Sequence, residues 1–222
     1  MLKRGLIVSC QAGVGEPLHG LNIMRYMAKA AVAGGACGIR ALYYDVDPIK
    51  SEVDVPVIGL VKQDYDDSEI YITPTKTEID LVLATKADCV AIDATLRIRP
   101  NGETLEELVA YARKKAPSVE LMADIATVEE AINAERLGFD YISTTLRGYT
   151  AESKNAVLPD VNFVAEVLKA VKNTKVVAEG GIYEVGQLEQ IGALNPYAVV
   201  IGSAITRPAL VTERFNKVLK LK

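Results

Sequence analysis

The stretch VVAEGGI, residues 176–182, decides how the chain is read. Val176, Val177 and Ala178 form the short apolar run expected of a parallel strand covered on both faces. Glu179 closes that run, and Gly180 and Gly181 follow at once. A carboxylate ending a buried strand is costly unless it is paired, so it is poorly placed for stability. Two glycines let the backbone approach a ligand closely and present bare N–H groups to it. The pattern recurs as Val199-Val200-Ile201-Gly202-Ser203, after which Arg207 and Pro208 open a helical stretch. As the last two strands of a (β/α)8 barrel, these segments carry the loops where that fold usually holds a phosphate. Singly, each reads as no more than a tight strand-to-helix turn.

The same alternation runs back to the N-terminus. Strand-like segments fall at 5–10, 37–41, 57–61, 89–92, 119–123 and 139–143, and the last at 197–201. Between them, apolar residues recur at helical spacing, as in Leu105, Leu108, Val109 and Ala112. Thr75 with Glu78 and Thr127 with Glu130 are capping-box pairs, and Gly138 reads as a helix-ending glycine. A short helix is expected at 46–53, and a β-prone excursion at 70–73. Residues 144–159 are long and polar for a connector and suit a binding loop. Val211, Phe215 and Val218 mark a terminal helix with Pro208 in its first turn. Eight βα units without a composition break predict an α/β chain forming a single (β/α)8 TIM barrel domain over 1–222. A doubly wound open sheet is the competing architecture. Its glycine fingerprint is incomplete, because Leu18 stands where a third glycine would follow Gly13 and Gly15.

Composition narrows the function. Half the residues are apolar and 24% are charged, which predicts a sizeable core rather than disorder. A net charge of −4 without a basic face argues against a nucleic-acid partner. It leaves room for a small anionic substrate held by a few aimed donors. No apolar run reaches the length of a membrane span or a signal peptide's apolar region. Cys10, Cys37 and Cys89 are odd in number and scattered, so buried free thiols and a cytoplasmic location are expected. One histidine, His19, with scattered cysteines offers no zinc set, so no metal is expected.

Barrel geometry brings the carboxyl ends of the strands to one mouth. Those ends read Gln11, Arg40, Lys62, Asp93, Asp124, Thr144 and Glu179. Asp93 and Asp124 could equally pair with neighbouring cations to close the barrel top. A lysine confined among other charges can have its pKa lowered towards a useful base. Glu179 is its natural acidic or hydrogen-bonding partner.

The strings LIVSCQA (6–12), GIRA (38–41), PVIGLVKQDY (56–65), AIDAT (91–95), MADIAT (122–127), GFDYISTTLRGYT (138–150), VAEGGI (177–182) and VIGSAITRP (200–208) resemble the N-acylglucosamine-6-phosphate 2-epimerase family, also called N-acetylmannosamine-6-phosphate 2-epimerase. The resemblance spans nearly the whole chain. It implies a (β/α)8 isomerase of sialic acid and amino sugar catabolism. Such an enzyme interconverts N-acetylmannosamine 6-phosphate and N-acetylglucosamine 6-phosphate at C2 without a redox cofactor. By that resemblance Lys62 and Glu179 are catalytic, and Gln11, Arg40 and Asp124 hold the sugar and its N-acetyl group. Gly181, Gly202, Ser203 and Arg207 match the phosphate site. Departures fall at Gln63, where the family often has arginine, and at Leu42-Tyr43-Tyr44, where an asparagine-containing loop is more usual. A homodimer through the terminal helix is also expected, with packing of that helix on the barrel as the alternative. Two other functions compete: a Schiff-base lyase using Lys62 as nucleophile, and a phosphosugar-binding barrel without turnover.

Overall fold

A computed structural model describes residues 1–219. Eight parallel strands close into one barrel in chain order, with β8 returning to β1. They are β1 Gly5–Cys10, β2 Gly38–Leu42, β3 Val57–Leu60, β4 Cys89–Asp93, β5 Glu120–Asp124, β6 Tyr141–Ser143, β7 Lys175–Glu179 and β8 Ala198–Ile201. Helices alternate with them: α1 Met24–Ala33, α2 Tyr43–Lys50, α3 Lys76–Leu83, α4 Leu105–Lys115, α5 Val128–Arg136, α6 Val161–Ala170 and α7 Val185–Ala193. After β8 come the one-turn α8, Ser203–Thr206, and the terminal α9, Pro208–Val218. The architecture is the single (β/α)8 barrel the alternation predicts.

Alternation along each strand builds two cores. Ile7, Ile58, Ala91, Met122, Val177 and Val200 pack together inside the barrel. Their neighbours of opposite parity, such as Val90, Ile92, Leu121 and Ala123, pack outwards with Leu108, Val109 and Phe163 of the helices. Gly59 is required by this outer contact. A Cβ there would stand 2.7 Å from Val82 Cγ1 and 3.0 Å from the Ala87 Cβ. Gly59→Ala should therefore destabilise by about 1–3 kcal/mol, the usual cost of overpacking. A urea midpoint equal to that of the unaltered protein would contradict this contact.

Both expected capping boxes form, and Thr104 with Glu107 makes a third at the start of α4. Gly138 has φ 81° and ends α5 as expected. The helix expected at 46–53 lies instead at Tyr43–Lys50. Asp45 in its first turn and Lys50 in its last complement the helix dipole, so the chain turns helical as soon as β2 ends. Cys10 and Cys89 are buried free thiols, but Cys37 is only half-buried and sits just before β2. The terminal helix forms as expected, with Pro208 in its first turn. None of its residues is buried, and Phe215 is 72% exposed, so its apolar face does not join the core. Among the described residues, no helix is long and apolar enough to cross a membrane.

Candidate active site

At the carboxyl ends of the strands lies an open cleft of about 190 Å³. Gln11, Arg40, Lys62 and Glu179 line it, together with Gly181, Gly202, Ser203 and Arg207. Most of the expected site residues therefore converge. Asp124 lies behind Arg40, fully buried and outside the lining. Asp93 does not reach the cleft. It is fully buried and bound by Thr95 Oγ1 at 2.7 Å and Arg97 Nη2 at 2.8 Å, so it ties down its own loop.

The floor is a charge cluster. Arg40 donates to both Asp124 oxygens, from Nη1 at 2.9 Å and from Nη2 at 2.6 Å. Arg40 Nη1 also lies 3.2 Å from Glu179 Oε2. This planar fork, 1% exposed, meets two carboxylates at once, a geometry lysine could not reproduce. Burial pushes the Glu179 carboxyl pKa up; Arg40 opposes the rise, and Asp124 adds to it.

Lys62 follows β3 and pairs with Ile72 in an antiparallel bridge, which folds the 70–73 excursion over the mouth. Thr73 closes this turn at φ 46°, an outlying conformation for a β-branched residue. Its backbone N–H donates to Val61 O at 2.9 Å and its Oγ1 accepts from Val61 N at 3.2 Å. The turn sets Tyr71 against the cleft beside Lys62. Desolvation by the cleft walls lowers the Lys62 pKa, and the Arg207 and Arg40 charges lower it further; Glu179 and Glu16 partly oppose them. Among the described residues no carboxylate pairs with Lys62 within salt-bridge distance. The expected Lys62–Glu179 partnership is therefore one of shared cleft, not of direct contact. Glu179 instead takes its bonds from Arg40, Ser143 and Thr145.

Two features escaped the sequence. Thr144, read as a mouth residue, bonds the Glu179 backbone N–H and C=O at 2.9 Å each and does not line the cleft. Thr145 does line it. Strand parity could have found this, because Thr145 continues the Tyr141–Ser143 series whose first member packs inside the barrel. The second is Glu16, on the loop between β1 and α1, whose Oε1 accepts from Arg207 Nη2 at 2.9 Å and from Gly13 N at 2.9 Å. No sequence spacing signals a pair formed across so much chain. Tyr44, one of the family departures, donates its hydroxyl to Ala12 O at 3.1 Å and fastens the same loop. His19 also contacts Ala12 O, at 3.0 Å. Among the described residues, no group of three or more His, Cys, Asp or Glu side chains could hold a metal ion.

The fold and cleft define a class: a (β/α)8 barrel whose mouth carries a solvent-exposed lysine, a glutamate with a raised pKa, an arginine and glycine-rich loops. Comparison with known proteins narrows it. The family described as "Putative N-acetylmannosamine-6-phosphate epimerase" matches residues 24–221. The chain is 52% identical to the "Putative N-acetylmannosamine-6-phosphate 2-epimerase" of Staphylococcus carnosus strain TM300 over 223 residues, covering 99% of each. It is 51% identical to the protein of that name from Staphylococcus haemolyticus strain JCSC1435, covering 100% of each. Among solved structures, the N-acetylmannosamine-6-phosphate 2-epimerase of Clostridium perfringens superposes with a TM-score of 0.93 at 47% identity, covering 98% of this chain and 95% of that one. This chain belongs to the N-acetylmannosamine-6-phosphate epimerase family.

Proposed function

We propose that the protein interconverts N-acetylmannosamine 6-phosphate and N-acetylglucosamine 6-phosphate, moving one proton at C2 of the open-chain sugar. The observation that carries this reading is that Lys62 and Glu179 line the same cleft as Arg207 and the glycine loops. A C2 proton α to the C1 carbonyl needs a base beside it and a donor near O1. Lys62, with its lowered pKa, is the base. Glu179, with its raised one, is the donor. Gln11 and Arg40, backed by Asp124, hold the sugar and its N-acetyl group. Gly181, Gly202, Ser203 and Arg207 hold the phosphate, whose binding energy orients the reacting end. The reaction belongs to amino sugar catabolism, and the free thiols Cys10, Cys37 and Cys89 support a reducing cytoplasm.

Incubation with N-acetylmannosamine 6-phosphate, followed by NMR of the anomeric signals, tests the reading. The signals of N-acetylglucosamine 6-phosphate should appear, with deuterium at C2 in D₂O. Retro-aldol fragments would point to the Schiff-base lyase, and binding without turnover to a sensor. Gly202→Asp tests the phosphate end. Its added Cβ would stand 3.1 Å from the Ser9 Cβ, with a carboxylate beside the proposed anion site. Calorimetry should show phosphosugar affinity falling at least about tenfold, or ~1.4 kcal/mol. Unchanged affinity would place the phosphate elsewhere.

The unburied face of α9, with Phe215 and Val218, supports a homodimer through that helix. Light scattering at micromolar concentration should give twice the chain mass, and a monomer mass would end the idea.

A further inference from the structure

Thr145 stands between the two carboxylates of the cleft floor. Its Oγ1 lies 2.7 Å from Asp124 Oδ1 and 3.0 Å from Glu179 Oε2. Ser143 Oγ is 2.9 Å away, and Arg40 Nη1 is 3.4 Å away. A threonine hydroxyl has one hydrogen to give and two lone pairs to receive with. It cannot donate to both carboxylates at once. Arg40 already serves both Asp124 oxygens and touches only one oxygen of Glu179. The protonation of Glu179 therefore depends on where the Thr145 hydrogen points.

We propose that Thr145 is a positioning residue for the proton on Glu179: its hydroxyl hydrogen points to Asp124 while Glu179 is a carboxylic acid, and turns to Glu179 once that proton has left. In the first arrangement Glu179 donates its O–H to Thr145 Oγ1, and Thr145 donates to Asp124 Oδ1. When Glu179 gives its proton to a substrate oxygen, Thr145 keeps its own hydrogen and rotates it onto the new carboxylate. The proton count balances, because one proton passes from Glu179 to substrate and the Thr145 O–H bond stays intact. When substrate returns the proton, the hydroxyl swings back to Asp124. Thr145 thereby offers each form of Glu179 a bond, which lets one glutamate both give and take the proton in a reversible reaction.

The groups facing Glu179 are Arg40 from β2, Lys62 beyond β3, Asp124 from β5, Ser143 and Thr145 at the end of β6, and Tyr149 on the following loop. Of these, Arg40 and the hydroxyl groups of Ser143 and Thr145 are within hydrogen-bonding distance of it. Donation to a carboxylate is charge-assisted and roughly twice as strong as a bond between neutral groups. Loss of the hydroxyl should therefore favour the protonated form.

The consequence for turnover rests on the C2-epimerase reading, but the titration of Glu179 does not. The experiment is NMR of protein carrying carboxyl-labelled glutamate, with Glu179 assigned by its absence in Glu179→Gln. Thr145→Val preserves the shape and removes the hydroxyl. Its Glu179 midpoint should rise by about one pH unit, and the limb of its kcat profile set by Glu179 should follow. Thr145→Ser should restore both. A Glu179 midpoint in Thr145→Val equal to that of the unaltered protein would overturn the proposal. So would a failure of Thr145→Ser to restore it, or a shift in Ser143→Ala with none in Thr145→Val. If the midpoint moves as expected while the unaltered protein shows no epimerisation, the epimerase reading falls and the Thr145 assignment stands.

Discussion

Lys62→Ala is expected to lose epimerisation and C2 hydrogen exchange together, while phosphosugar binding survives. A general base is worth about 10²–10⁴-fold, and its removal should lower kcat by at least that factor. Binding persists because the phosphate groups proposed here, Arg207 and the glycine loops, belong to other loops. Lys62→Arg should fail equally, since guanidinium stays protonated at any working pH. The pH dependence carries the sign of the two shifts. The free amine of Lys62 gains population as pH rises through a pKa held below the ordinary 10.5. The acid form of Glu179 loses population as pH rises through a pKa held above the ordinary 4.5. Activity should be bell-shaped, limited by the base on one side and by the acid on the other. C2 exchange by Lys62→Ala at the unaltered rate would refute the assignment.

The second large effect belongs to Arg40. Arg40→Met leaves Asp124 fully buried without its fork and leaves Glu179 beside it. Removing one member of a buried ion pair typically costs about 3–5 kcal/mol, because the remaining charge is uncompensated. A drop of that size should appear in the urea midpoint at constant m. Activity should fall with it, since Arg40 lines the cleft and is proposed to hold the sugar and its N-acetyl group. Arg40→Met combined with Asp124→Leu should recover part of the stability but none of the activity, separating the structural and chemical roles. A single variant as stable as the unaltered protein would show that the buried pair contributes little. The milder Arg40→Lys keeps a charge but loses the fork and should lose catalytic efficiency while remaining folded.

The fold was legible because its signals are local. Apolar runs ending on polar residues, capping threonines three positions before glutamates, and Gly138 each act within one turn of chain. The cleft position of the pair proposed as catalytic was legible for the same reason, since Lys62 and Glu179 each interrupt an apolar run. What escaped depends on parity or on distant contacts. Thr144 and Thr145 are neighbours of the same type, and only the inward set of Tyr141 and Ser143 separates them. Asp93 closes a strand as Asp124 does, but Thr95 and Arg97 claim it before it can face the cleft. Arg207 meets Glu16 across most of the chain, and no window of sequence holds both. The apolar spacing in α9 reads the same whether the face meets the barrel or solvent.

Barrel closure also sets a timetable for synthesis. Leu6 of β1 pairs with Val199 of β8, so the first strand made waits for the last. At roughly 5–20 residues per second, the wait is on the order of 10–40 s. Through that interval one side of β1 has no partner, and its apolar residues lack the outer neighbours that β8 brings. Until β8 is made, the free sides of both β1 and β7 lack the partner that only the final strand supplies.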